Sequence, residues 1–308
     1  MPAHSTEWLI FGGVAVVLLA ADLFIMNRKA HVLAMREALL WSAVVVSVAL
    51  AFGGVVYSAS GGTAALEYYS GYLVELTLSV DNLFVFILIF QYFAVPSEAQ
   101  SKVLNWGVFG AAIMRGLMVV AGTLVLSRFE WLFVALGIVL LYTATKMFRG
   151  QEEKIEPEKN PLVKLARRVL PMAPGYHGGK FVVRSSTGWV ATPLVLVVLV
   201  VEWTDVVFAI DSIPAIFAIT RDPFIVYSSN IFAVLGLRAL FFVLAGALGR
   251  FRYLKPGVGV ILAFVGFKMI VGHWVHLPAA LSLVVILTIL VGSIVLSIVR
   301  LEDKPTTP

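Results

Sequence analysis

Nine apolar stretches follow one another along this chain, at roughly 8–26, 38–57, 70–93, 104–126, 131–148, 190–219, 225–248, 256–272 and 278–299. No other feature narrows the fold so much. About 20 apolar residues in a helix cross the ~30 Å hydrocarbon core of a bilayer. In lipid every backbone N–H and C=O needs an internal partner, and a helix supplies them within one segment. Strands of a membrane barrel would be ~10 residues long and alternate in polarity, which these runs do not. Composition agrees: 60% of the 308 residues are apolar and 13% are charged, against about 25% charged in soluble domains. The expectation is an all-α, polytopic transmembrane bundle of about nine spans.

Other classes drop out early. The chain has no cysteine, so disulfides, thiolate metal sites and iron–sulfur ligation are excluded. The net charge of +5 is no nucleic-acid signal, because the basic residues gather in loops between apolar runs. The first loop holds Arg28, Lys29 and Arg36, and the turn after the seventh run holds Arg250, Arg252 and Lys255. The long connection 149–188 holds Arg149, Lys154, Lys159, Lys164, Arg167, Arg168, Lys180 and Arg184. With nine spans these fall on one side, which the positive-inside rule makes cytoplasmic. The N-terminus is then outside and the C-terminus inside. The first residues lack a signal-peptide shape, so the first run reads as a retained helix. Residues 58–69 carry no basic residue and read as an external loop. The 149–188 connection, with four prolines and "GYHGG", reads as a cytoplasmic linker with one amphipathic turn around 163–170. Trp8, Trp41, Trp131, Trp189 and Trp274 near span ends read as aromatic-belt residues. Lys146 and Lys268 read as snorkelling side chains.

Polar residues inside the apolar runs repeat. Glu75-x5-Asp81-Asn82-Leu83 matches Asp205-x5-Asp211-Ser212-Ile213. Downstream, Arg115, Ala121-Gly122 and Lys146-Met147-Phe148 match Arg238, Ala245-Gly246 and Lys268-Met269-Ile270. This order predicts a three-helix duplication. Because three is odd, the second copy enters the membrane in the opposite direction, as in many secondary transporters whose sites lie at the midplane between copies. The chain then divides into 1–69, a two-helix N-terminal segment; 70–148, the first repeat; 149–188, the loop; 190–272, the second repeat; and 278–308, the last helix and tail.

The duplicated feature is an expensive one. Asp22, Glu75, Asp81, Glu202, Asp205 and Asp211 are intramembrane acids, against two intramembrane arginines, Arg115 and Arg238. At ~2.5–3.5 kcal/mol each on insertion scales, six acids would cost on the order of 15 kcal/mol unpaired. Two arginines cannot neutralise six acids, and the residual negative charge invites a cation or protons. Residues seven apart share a helix face, so Glu75 aligns with Asn82 and Asp205 with Ser212. Residues six apart sit about 120° from each other, so Asp81 joins Glu75 only if the helix unwinds or the partner copy supplies the rest. Pro214 frees the carbonyl of Ile210 and favours such unwinding in the second copy. Carboxylate, amide and hydroxyl oxygens suit hard cations such as Mg²⁺, Ca²⁺ or Mn²⁺. All five histidines, His4, His31, His177, His273 and His276, lie in loops or at span ends. The candidate metal ligands are therefore Glu75, Asp81, Asn82, Asp205, Asp211, Ser212, Glu202 and Asp22, with Arg115 and Arg238 as counter-ions. For Asp22, pairing with Arg28 or Arg36 is the competing structural account. No permanently bound cofactor is expected.

The stretches "AADLFIMNRKAHVLAMREALLWSAVVVSVALAF" (20–52), "ELTLSVDNLFVFILIFQYFAVP" (75–96) and "VEWTDVVFAIDSIPAIFAITRDPFIVYSSNIFAVLGLRALFF" (201–242) resemble the TerC family of integral membrane proteins. Within it, the sequence is most similar to the longer, nine-span bacterial branch that includes the Alx proteins. That resemblance implies Mn²⁺ efflux from the cytoplasm. It places the family's acidic motifs on Glu75, Asp81 and Asn82, and on Asp205, Asp211 and Ser212, and the family's first-span acid on Asp22. Manganese over calcium or magnesium, and export over import, rest on the resemblance alone. The alternatives are a membrane assembly or metallation factor acting with the secretion machinery, and a Ca²⁺/proton exchanger. An intramembrane aspartyl protease is disfavoured because neither Asp81 nor Asp211 follows G-x-G. Tellurite export is disfavoured because six acids repel an oxyanion.

Overall fold

The computed structural model describes residues 5–27, 35–128, 131–149, 161–185, 188–246, 253–271 and 277–302. Arg28, Lys29, Lys154, Lys159, Arg250, Arg252, Trp274 and all histidines except His177 lie outside the described residues, as do the side chains of Asp81, Asp211 and Lys255. In chain order come α1 (Ser5–Asn27), α2 (Met35–Tyr92), α3 (Ser97–Arg128), α4 (Trp131–Phe148) and α5 (Pro161–Val169). A two-stranded hairpin, β1 (Val182–Ser185) and β2 (Gly188–Ala191), precedes α6 (Pro193–Phe217). Then follow α7 (Pro223–Gly246), α8 (Leu254–Val271) and α9 (Ala279–Glu302). Apart from that hairpin, the described chain is a helical membrane bundle. Six of these helices are long and apolar enough to cross a bilayer, and two shorter apolar helices, Val134–Phe148 and Pro256–Val271, accompany them.

α2 contains two of the expected spans. It is helical on both sides of Gly61, whose φ of 86° is open to glycine but rarely to residues with a Cβ. The arms fold back on each other: the Tyr68 and Tyr69 hydroxyls donate to the carbonyls of Ala49 and Leu50, each at 2.9 Å. The expected external loop at 58–69 is therefore helix, made of alanine-rich sequence with one glycine joint. The Ser60 hydroxyl donates to Glu7 of α1, and Trp8 meets Phe224 at the start of α7. Those contacts gather one end of the bundle.

The connection before α6 is more structured than a linker. The Tyr176 hydroxyl donates to the carbonyl of Phe93 (2.6 Å), Lys102 Nζ donates to Gly179 (3.1 Å), and Phe181 meets Trp106 edge-on. Burial holds the Tyr176 phenol above the usual tyrosine value. The segment caps the α2–α3 turn at the other end of the bundle. Because Trp189–Ala191 pair with β1, α6 begins at Pro193 and not at 190; proline suits a first helical turn, where its missing N–H is no loss.

Close contacts fix the helix directions. Gly107, Gly110 and Gly122 of α3 face Val201, Glu202 and Phe217 of α6, so these two run the same way. The second arm of α2 runs with α7, pairing Gly71 with Ser229 and Phe90 with Phe241. α4 and α8 are antiparallel and touch through backbone. A Cβ on Gly137 would meet the Gly266 carbonyl at 2.9 Å, and one on Gly266 would meet that of Gly137 at 2.8 Å.

Candidate functional site

α3 and α7 cross antiparallel and form two polar rungs. In one, Arg115 of α3 donates to Asn230 of α7 (2.7 Å) and to Glu75 of the second α2 arm. Its other terminal nitrogen lies 3.8 Å from Asp205 of α6. In the other, Arg238 of α7 donates to Asn105 of α3 and to Asp22 of α1 (3.2 Å). Each helix gives an arginine to one rung and an asparagine to the other. Arg115 and Arg238 are fully enclosed. Eight to ten residues separate the rungs along each helix, about 12–15 Å.

The rungs differ in charge. The Arg115 rung holds two carboxylates on one guanidinium. Glu75 Oε2 and Asp205 Oδ2 in this rung, Ser79 Oγ and Ser212 Oγ further along the same helices, and Asp22 Oδ1 in the other rung are buried without a partner among the described residues. Ser79 lies one turn beyond Glu75, and Ser212 two turns beyond Asp205, so each hydroxyl shares its carboxylate's helix face. The Arg238 rung has one carboxylate on one guanidinium. Asp22 is thus tied to Arg238 in α7. No pairing with Arg36 is seen, and Arg28 lies outside the described residues.

Glu202 lies one turn before Asp205 on α6. Its carboxylate rests directly over Gly110 of α3, where a Cβ would collide with it. α6 runs unbroken through Pro214 to Phe217, and the only non-helical residue in α2 is Gly61. The expected local unwinding is therefore absent at both motifs: the second arm of α2 and α6 stay helical through them. Asn82 and Ser212 are buried, as their helix positions require. Asp81 and Asp211 lie in α2 and α6 beside them, with side chains outside the described residues. Among the described residues no three carboxylates or histidines converge as a metal site. Lys268 does not snorkel: it is buried and donates to Ser282 of α9 at 2.9 Å.

Sequence reasoning passed over Asn105, Asn230 and Ser79. A lone amide in an apolar helix was the available signal, since polar side chains there hydrogen-bond across helices.

A helical membrane bundle with carboxylates buried on arginines defines a class: an integral membrane protein with a polar centre. The chain belongs to the TerC family of integral membrane proteins, whose sequence profile matches residues 60–304. It is 45% identical over 97% of its length to a membrane protein of Myxococcus xanthus, STKORF319, covering 94% of that protein. It is 42% identical to a protein of Escherichia coli (strain K12) provisionally named the membrane-bound redox modulator Alx, across 94% of both chains. A membrane protein of Rickettsia felis is 41% identical over 96% of this chain and 98% of its own. No solved structure matches.

Proposed function

We propose that the chain is a divalent cation transporter that moves Mn²⁺ out of the cytoplasm across a bacterial inner membrane, N-terminus outside. One observation carries this reading. Helices α2 and α6, far apart in sequence, bring the carboxyl groups of Glu75 and Asp205 to one buried arginine, each with an oxygen left unpartnered among the described residues. Oxygen donors of this kind favour a hard cation. Glu75, Asp205, Asp81, Asp211, Asn82 and Ser212 bind the ion, and Glu202 is the acid at its approach. Arg115 spaces the two carboxylates and keeps affinity low enough for release. Asp22 belongs to the Arg238 rung and serves the scaffold. Acids at this depth also exchange protons, so proton coupling is a natural counter-flow.

The inverted repeat belongs to this proposal, and packing supports it. Gly137 faces Met269 and Ile270, while Gly259 faces Met147 and Phe148. Those are matched residues of the two sequence copies, exchanged. The match is looser at the rungs, because Asn105 and Asn230 stand ten and eight residues from their arginines.

The test is metal-stimulated uptake into inside-out vesicles, comparing Mn²⁺, Ca²⁺ and Mg²⁺ for wild type, Asp81→Asn and Asp211→Asn. Uptake of Mn²⁺ abolished by both substitutions is expected. Uptake indifferent to both, or none by a folded wild type, sinks the reading. The name of the Escherichia coli relative favours a second reading, redox modulation. A chain without cysteine cannot exchange thiols itself, so such a role would act through the cell's content of a redox-active metal. An assembly or metallation factor would leave cytosolic Mn²⁺ unchanged in a deletion strain.

A further inference from the structure

α5 offers two flanks that the bundle does not use. Its Val163 and Ala166 are buried in one cluster with Leu194 and Val197 of the first α6 turns. That fixes α5 at the level where α6 enters the membrane. At about 100° per residue, Leu165 and Val169 share one flank, and Lys164, Arg167 and Arg168 share the other. Leu165 is 59% and Val169 67% exposed. The three basic side chains are exposed too, and no carboxylate of the described residues pairs with them. On the adjoining hairpin Trp189, 69% exposed, stands opposite Arg184. Tryptophan favours the level of lipid headgroups. A helix with apolar and basic flanks settles in the bilayer interface and is drawn to anionic lipid.

We infer that α5 and the β1–β2 hairpin form an interfacial foot that binds anionic phospholipid headgroups on that face of the membrane. Lys164, Arg167 and Arg168 meet the phosphates, and Leu165 and Val169 enter the upper acyl region. The inference goes beyond the transport reading and does not depend on it. The competing occupant of the basic flank is the chain's own acidic stretch, Glu152, Glu153, Glu156 and Glu158.

The cysteine-free chain makes the test direct. Full-length Leu165→Cys and Lys164→Cys variants, each carrying an NBD label, are placed in nanodiscs of phosphatidylcholine with or without phosphatidylglycerol. The label at 165 is expected to emit further to the blue than that at 164. Lipid bearing a nitroxide at the fifth acyl carbon should quench it. Emission as in water at 165, quenched by iodide but not by nitroxide lipid, overturns the inference. Spin-labelled phosphatidylglycerol and phosphatidylcholine then measure headgroup preference. The Lys164→Gln/Arg167→Gln/Arg168→Gln variant should lose its preference for phosphatidylglycerol by up to about a hundredfold, since each basic residue near an anionic surface is worth roughly fivefold. An unchanged preference overturns the headgroup assignment. So does a preference that emerges only after the four glutamates become glutamine, because the acidic stretch then occupies the basic flank.

Discussion

The two rungs between α3 and α7 are built alike and charged differently. Each has an arginine from one helix, an asparagine from the other and a carboxylate from a third. The Arg238 rung stops there, and its charges balance. The Arg115 rung takes a second carboxyl group, Asp205, and so has one more than its single guanidinium can neutralise if both ionise. Desolvation penalises every ion in both, and under the transport proposal only the Arg115 rung would gain by accepting a cation. A balanced rung pins helices, whereas an unbalanced one also has room for chemistry.

The sharpest way to break this comparison is to remove each arginine. Arg115→Gln strands Glu75 and Asp205 together and should cost on the order of 3–5 kcal/mol, the scale for orphaning a buried charge. The detergent-purified protein should lose its monodisperse peak well below the wild-type temperature. The Asp22→Asn/Arg238→Gln pair removes both charges of the balanced rung. It should stay within about 1–2 kcal/mol of wild type. Equal losses in the two experiments would erase the distinction.

Transport gives the next largest contrast. Glu75→Gln and Asp205→Asn should reduce Mn²⁺ uptake into inside-out vesicles about a hundredfold, the scale of losing one well-placed charged contact, ~3 kcal/mol. Asp22→Asn should retain uptake within about threefold once corrected for protein level. A dead Asp22→Asn protein of normal stability would place Asp22 on the ion path.

How much of this was legible in the sequence depends on distance along the chain. The nine apolar runs announce their helices, because composition over about 20 residues is a local property. The buried acids announce themselves by cost. Which acid meets which arginine is not local: Arg115 and Glu75 are 40 residues apart, and Arg238 and Asp22 are 216 apart. Asp22 has Arg28 and Arg36 near it in sequence and still pairs with α7. The β-hairpin before α6 was missed because its four-residue strands are too short for alternation to show. Gly61 could be seen as a joint only once the arms were known to fold back.

Smaller effects refine the picture around Glu202 and the cap. Gly110→Ala should disturb Glu202, because the new methyl takes the place of its carboxylate. Adding Glu202→Ala should recover part of the loss, a coupling of about 0.5–3 kcal/mol in thermal unfolding. Simple additivity would mean that the two do not share that space. Tyr176→Phe removes one hydrogen bond to Phe93 and should cost about 1 kcal/mol, read as faster amide exchange across 171–192. The raised Tyr176 phenol gives the same contact a pH limit. Its contribution is complete below the ordinary tyrosine value of 10.0 and fades as pH climbs through the higher folded one.

The glycine joint in α2 has a consequence for what the outside world can touch. At that end of the bundle the chain turns back within a helix at Gly61, and α6 passes to α7 through a few residues near Asp222. At the opposite end stand α5, the hairpin and the Tyr176 cap. Among the described residues, a protease or an antibody would therefore find handholds at the end with α5 and the hairpin, and a tight helical return at the other. Of the described segments outside the long helices, the foot and its cap lie together on one side.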